Sequence, residues 1–198
     1  EPKLLIASHN IDKIREIADL LGPLQISTTS ASAMHLDEPE ETGTSFIENA
    51  KLKAQGGMKA TGLPCLSDDS GLVIPALDGQ PGIYSARWAI GADGKRDFSS
   101  AISRIEREMA DKNDLSAYFV CALCLMWPDG FDVTIEGRAY GHLTFPPRGT
   151  HGFGYDPIFI PQGHAKTYGE MPAAQKQSIS HRAVALKKLM RACFLPRN

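Results

Sequence analysis

The chain has 198 residues, 42% of them hydrophobic and 22% charged, with a formal net charge of −2. That supplies a sizeable core, and the length favours a single domain. The near-neutral balance gives no basic face for duplex nucleic acid, and no run of about 18 apolar residues is present to span a membrane as a helix. A small anionic ligand stays open, since a few local cations are enough to hold one.

Residues 3–8 read as a buried strand. Residues 10–23 follow as a helix, with Ile11, Ile14, Ile17, Leu20 and Leu21 at helical spacing and Gly22-Pro23 as the stop. Residues 8–10 are therefore a strand-to-helix turn. Residues 37–43 form an acidic loop that feeds a second helix, opened by the capping box Ser45-x-x-Glu48. That helix carries Glu48, Asn49, Lys51 and Lys53 and is expected to fade near Gly56-Gly57. A strand is expected over residues 63–74, and a Gly/Pro-rich loop over 78–88. Residues 97–112 read as a helix capped by Asp97. Two strands, 116–127 and 131–143, are joined by the turn Pro128-Asp129-Gly130, which predicts an antiparallel pair. Residues 145–163 are glycine-rich and aromatic, and one last helix is expected over 172–194. The order of elements predicts an α/β protein, a mixed sheet with helices on its faces.

The N-terminal stretch EPKLLIAS lacks the apolar run of a secretory signal. The four cysteines, Cys65, Cys121, Cys124 and Cys193, fit reduced thiols and a cytoplasmic location. Cys121 and Cys124 form a C-x-x-C, but no second Cys/His pair lies near it. In a strand, positions three apart face opposite sides. Buried structural thiols are expected there rather than a zinc site.

Asp68 and Asp69 stand side by side in the apolar stretch CLSDDSGLVI. Unpaired buried carboxylates are costly, so partners are expected for both. With Glu40 and Glu41 they form an acidic set of the kind that holds Mg²⁺ together with substrate phosphates. A carboxylate left over can take a proton from water. The start of the first helix is a candidate anion site, flanked by Ser8 and Asn10, with Lys13 one turn in and Lys53, Lys176, His181 and Arg182 as further cations. The turn is neither a Walker A loop nor a G-x-G-x-x-G. In GFGYDP, glycines let backbone approach a ligand, Phe153 or Tyr155 offers a flat face for a base, and Asp156 offers acceptors.

The ordered motifs ASHNIDKIREI, EETGTSFIENAKLKA, LSDDSGL, PGIYSARW, HGFGYDPIF and KQSISHRAVAL resemble the inosine triphosphate pyrophosphatase family, the non-standard purine NTP pyrophosphatases. The resemblance runs from Leu4 to about Leu189. It implies an elongated mixed β-sheet flanked by helices, with two lobes and a central cleft within one domain spanning 1–198. It implies Mg²⁺-dependent hydrolysis of ITP, dITP and XTP to the monophosphate and pyrophosphate, and a homodimer. Carried over motif by motif, Ser8, His9, Asn10, Ile11, Asp12 and Lys13 are the phosphate turn. Glu40 is the first choice of metal-binding glutamate and Glu41 the alternative. Asp68 and Asp69 belong to the metal set, Asp69 is the proton acceptor, and Ser70 completes that motif. Phe153, Gly154, Tyr155 and Asp156 match the base-binding residues, and Lys176, His181 and Arg182 the C-terminal ones. Two departures stand out: His9 where the family usually has Gly, and Gln175 where an acidic residue is common. Other readings are a pyrophosphatase for modified pyrimidine nucleotides, a non-catalytic nucleotide-binding module, and a nucleic-acid interaction protein, the last disfavoured by charge.

Overall fold

A computed structural model describes residues 3–194. Its six-stranded sheet has the order β2-β1-β3-β4-β5-β6, where β1 is Lys3–Ala7, β2 Ser27–Ser30, β3 Cys65–Val73, β4 Ser116–Met126, β5 Asp132–Leu143 and β6 Phe159–Pro161. β1 pairs parallel with β2 and β3, and β5 pairs antiparallel with β6, so the sheet is mixed as predicted. The helices are α1 (Ile11–Leu21), α2 (Phe46–Thr61), α3 (Phe98–Glu108), α4 (Ala173–Ile179) and α5 (His181–Phe194). The chain divides into two compact units. The first comprises residues 1–69, 121–137 and 181–198, the second residues 70–120 and 138–180.

In the first unit β1 and β4 are covered on both faces, which is why they read as continuous apolar runs. The period of two sorts their side chains. Ile6, Leu66, Cys121 and Leu123 pack with Ile17 and Leu21 of α1 and with Ala185, Leu186 and Leu189 of α5. The alternate residues Leu5, Ala7, Cys65, Ala122 and Cys124 pack with Ala50 and Ala54 of α2. Cys121 and Cys124 therefore lie in different cores, and the cysteines are free thiols.

α2 does not fade at Gly56-Gly57 but runs on to Thr61. Its buried stripe is Asn49, Ala50, Lys53, Ala54 and Gly57, in which the small residues let the helix lie close on the sheet. A Cβ added at Gly57 would lie 2.8 Å from Cys65 Sγ and 2.9 Å from Leu5 Cδ2. Glycine here serves close packing rather than helix termination. Gly57→Ala gains about 1 kcal/mol of helix propensity, yet overpacking costs about 1–3 kcal/mol. The expected result is a net loss of stability, seen as a lower urea midpoint with an unchanged slope.

The second unit has its own core. Ile102, Ile105 and Met109 pack around Phe119, Phe159 and Tyr168, whose rings sit 4.8 to 5.9 Å apart. α3 starts on Asp97, whose carboxylate accepts from Ser99 and Ser100 N–H. Two short strands were absent from the pattern: β2 is built of Ser and Thr, and β6 has only three residues. The expected helix over 172–194 is instead two helices, parted where Ser180 turns extended (φ −69°, ψ 157°). That break starts a new helix on His181 and Arg182.

Candidate active site

The strand period carries through β3 into its charged residues. Leu66 and Asp68 face the α1/α5 side, while Cys65, Ser67 and Asp69 face α2, where Ser67 Oγ donates to Ala50 O at 2.5 Å. Adjacent aspartates are thus sent to opposite faces and meet different partners.

Asp68 is 2% exposed and fully engaged. Its Oδ1 meets Lys13 Nζ at 2.8 Å, and its Oδ2 accepts from Arg182 Nε and from the Cys121 thiol, both at 3.0 Å. Burial alone would raise its pKa, but the Arg182 and Lys13 charges hold it well below the usual carboxylate range. Arg182, 1% exposed, also pairs through Nη1 with Glu16 Oε2 of α1. Glu16 stands three residues after Lys13, so one face of α1 delivers a cation to Asp68 and an anion to the arginine that Asp68 shares.

Asp69 is 4% exposed and differently placed. Its Oδ1 accepts from Lys53 Nζ at 2.9 Å, and Lys53 also meets Glu41 Oε1 at 3.2 Å. Its second oxygen, Oδ2, is buried without a hydrogen-bond partner among the described residues. Burial raises the Asp69 pKa, the Lys53 and Lys13 charges only partly offset this, and Glu41 adds to the rise. Burial works against the Lys53 ammonium, but Asp69 and Glu41 outweigh it and keep the lysine charged.

Glu41 is half-buried at this cluster, whereas Glu40 is exposed. Of the two glutamates, Glu41 is the one that meets Lys53. The α1 start also differs from an open anion site. Asn10 Oδ1 already accepts from Asp12 and Lys13 N–H, and Ser8 Oγ accepts from Asn10 N–H. The cation that reaches the cluster from this turn is the Lys13 side chain, not the helix end. Ile11 is exposed, and Asp12 pairs at 3.5 Å with Arg15. His9 Nε2 lies 2.6 Å from Leu36 O.

The aromatic motif folds within the second unit. Asp156 Oδ2 accepts from Phe153 N–H at 3.0 Å and from Lys176 Nζ at 2.7 Å. Lys176 Nζ stands 4.7 Å from the Phe153 ring centroid. Gly152, at φ +70°, brings backbone so near that a Cβ would fall 2.0 Å from Asp156 Oδ2. Tyr155 is 3% exposed, lies edge-on to Phe98 at 5.3 Å and donates its hydroxyl to Ser85 O. It is a core residue, which leaves Phe153, half-buried, as the accessible flat face. Gly154 passes against the Phe98 ring, and Ser70 is partly buried on β3. His181 is buried in the first turn of α5, beside Arg182.

Three participants escaped the sequence reading: Cys121, Glu16 and the carbonyl of Leu36. Glu16 carried a signal in its helical spacing from Lys13. Cys121 lies 53 residues from its partner and carried none.

Fold and cluster together define a mixed α/β protein in which lysines and carboxylates are buried as a group at one strand. The chain belongs to the Ham1 family, matched over residues 4–192. It is 56% identical to a dITP/XTP pyrophosphatase of Rhodospirillum centenum, covering 96% of this chain and 94% of the relative. It is 51% identical to one of Agrobacterium fabrum, covering 96% and 95%. Its fold is similar to the solved HAM1 protein of Coxiella burnetii, with a TM-score of 0.86, 37% identity and coverage of 97% and 98%.

Proposed function

We propose that the chain hydrolyses non-standard purine nucleoside triphosphates (ITP, dITP and XTP) to the monophosphate and pyrophosphate, clearing them from the nucleotide pool. The observation that carries the reading is the buried Asp69 Oδ2, without a partner among the described residues, beside a lysine held charged. The relatives named dITP/XTP pyrophosphatase support the substrate class.

Lys13 and Lys53 neutralise the triphosphate. Asp69 orients a water and takes its proton, and its raised pKa improves it as a base. The water oxygen bonds to the α-phosphorus, and the bond from that phosphorus to the pyrophosphate oxygen breaks. No protein nucleophile takes part. Asp68, occupied by Lys13, Arg182 and Cys121, holds the lysine and arginine in place.

The donors fit Mg²⁺. It is usually bound by one or two carboxylates plus substrate phosphates rather than by an all-protein cage. Among the described residues no group of three or more metal-ligating side chains is gathered. Glu41, beside Asp69, would hold the ion, which would supply charge neutralisation at the phosphates.

Phe153 is the surface proposed for the base, with Gly154 and Asp156 beside it. Lys176, in the same unit as Phe153, is the proposed donor to a 6-oxo group, an acceptor where adenine presents a donor. We extend the proposal to a cytoplasmic homodimer that binds neither nucleic acid nor membrane. Among the described residues no helix is long and apolar enough to cross a membrane.

A product assay with ITP, dITP, XTP, GTP and ATP, with and without Mg²⁺, tests the reading. Pyrophosphate is expected from the first three, at least about 10²-fold faster than from ATP, and only with the metal. Release of orthophosphate, or preference for modified pyrimidine nucleotides, would overturn it.

A further inference from the structure

The bond from His9 to Leu36 joins two segments that the proposed chemistry uses separately. Nε2 lies 2.6 Å from the Leu36 carbonyl oxygen. A carbonyl only accepts, so Nε2 carries the proton and the ring is the donor. Leu36 is the last residue before the acidic segment, Asp37 to Thr42, which has neither helix nor strand to hold it. Beyond its far end, Gly43 N–H donates at 2.8 Å to Asn49 Oδ1, a side chain 1% exposed on α2. Glu41 lies between these two ties and meets Lys53.

We propose that His9 is a positioning residue: its Nε2–H ties the start of the acidic segment to the turn before α1, and so sets Glu41 against Lys53 and the proposed metal. The inference rests on the reading of Glu41 and Asp69 as the metal side of the site. Asn49 secures one end of the segment, and His9 secures the other. Leu36 N–H also donates to Ala31 O at 3.0 Å and Leu36 packs against the α2 core, so loss of His9 loosens the near end of the segment without freeing it, and Glu41 samples positions away from Lys53.

The test compares His9→Phe, which keeps a ring but loses the donor, with His9→Gln, whose amide N–H can reach the same carbonyl. His9→Ala is carried alongside in case the bulk of Phe disturbs the turn. Hydrogen exchange is followed on metal-free, nucleotide-free protein, and the Mg²⁺ concentration for half-maximal ITP hydrolysis is measured separately. In His9→Phe, the amides of residues 37–42 are expected to exchange about fivefold faster, the worth of one neutral hydrogen bond, with α2 unchanged. The half-saturating Mg²⁺ concentration is expected to rise by a similar factor, and His9→Gln to restore both. Unchanged exchange, an unchanged Mg²⁺ requirement, or a Gln variant no better than Phe overturns the proposal. If the wild-type chain does not hydrolyse ITP, the functional reading fails on its own. The exchange experiment then still decides the tie: faster exchange in Phe with rescue by Gln supports it, and anything else overturns it.

Discussion

Asp69→Asn is expected to lower ITP turnover by about 10²–10⁴-fold, the range of a general base, while the fold survives. The amide keeps the side chain's shape and an oxygen for Lys53 Nζ to donate to, now held at 2.9 Å by Asp69 Oδ1. What it removes is the capacity to accept a proton at the buried Oδ2. Single-turnover kinetics with ITP, alongside nucleotide binding by calorimetry, separate the two effects. Turnover within tenfold of wild type would assign the base elsewhere.

Asp68→Ala is expected to act in the opposite way, first on stability. It strips a partner from Arg182, which is 1% exposed, and from Lys13. Breaking a buried pair by removing one member costs about 3–5 kcal/mol, so the urea midpoint is expected to fall steeply. Arg182 would keep its pair with Glu16, and the Cys121 thiol would lose its acceptor. The pH dependence follows from the same geometry. Asp68 titrates far lower folded than unfolded, so the folded chain binds fewer protons in that window and stability rises with pH there. Its contribution is complete above the unfolded value, is lost progressively as pH falls below it, and is gone once pH has fallen through the depressed folded one. An acid titration of wild type against Asp68→Ala is therefore expected to converge at low pH. A constant gap down to full unfolding would show that the ion pairs contribute nothing.

Much of this was legible because charge in an apolar strand demands compensation. The run from Cys65 to Ile74 announced a site whose two aspartates each need a partner. The α1 and α2 starts were legible from Asn10 and Ser45, which accept from backbone N–H as N-caps do. Ser45 Oγ accepts from Glu48 N–H as the box requires, while the Glu48 carboxylate is held chiefly by Thr44 and less by the Ser45 backbone. Other features lay beyond local pattern. Glu40 and Glu41 are neighbours in one loop, and only the position of Lys53 on α2 tells them apart. Gly57 looks like a helix breaker in one dimension and is a packing contact in three. Neither Gly nor Pro marks the break at Ser180, so 172–194 reads as one helix. Tyr155 and Phe153 look equivalent in GFGYDP until Ser85, 70 residues away, takes the tyrosine hydroxyl.

The pairing of Asp68 with Arg182 spans 114 residues. On the ribosome the aspartate emerges long before its guanidinium partner exists, and chains are made N-terminus first, at about 5–20 residues per second. For several seconds β3 carries a carboxylate that no buried arginine can neutralise. The first unit, whose last segment begins at residue 181, stays unfinished until that segment has been made. A truncated product missing α5 is thus left with Asp68 without its arginine, which favours its removal by the cell's quality control over its survival as a partly working enzyme.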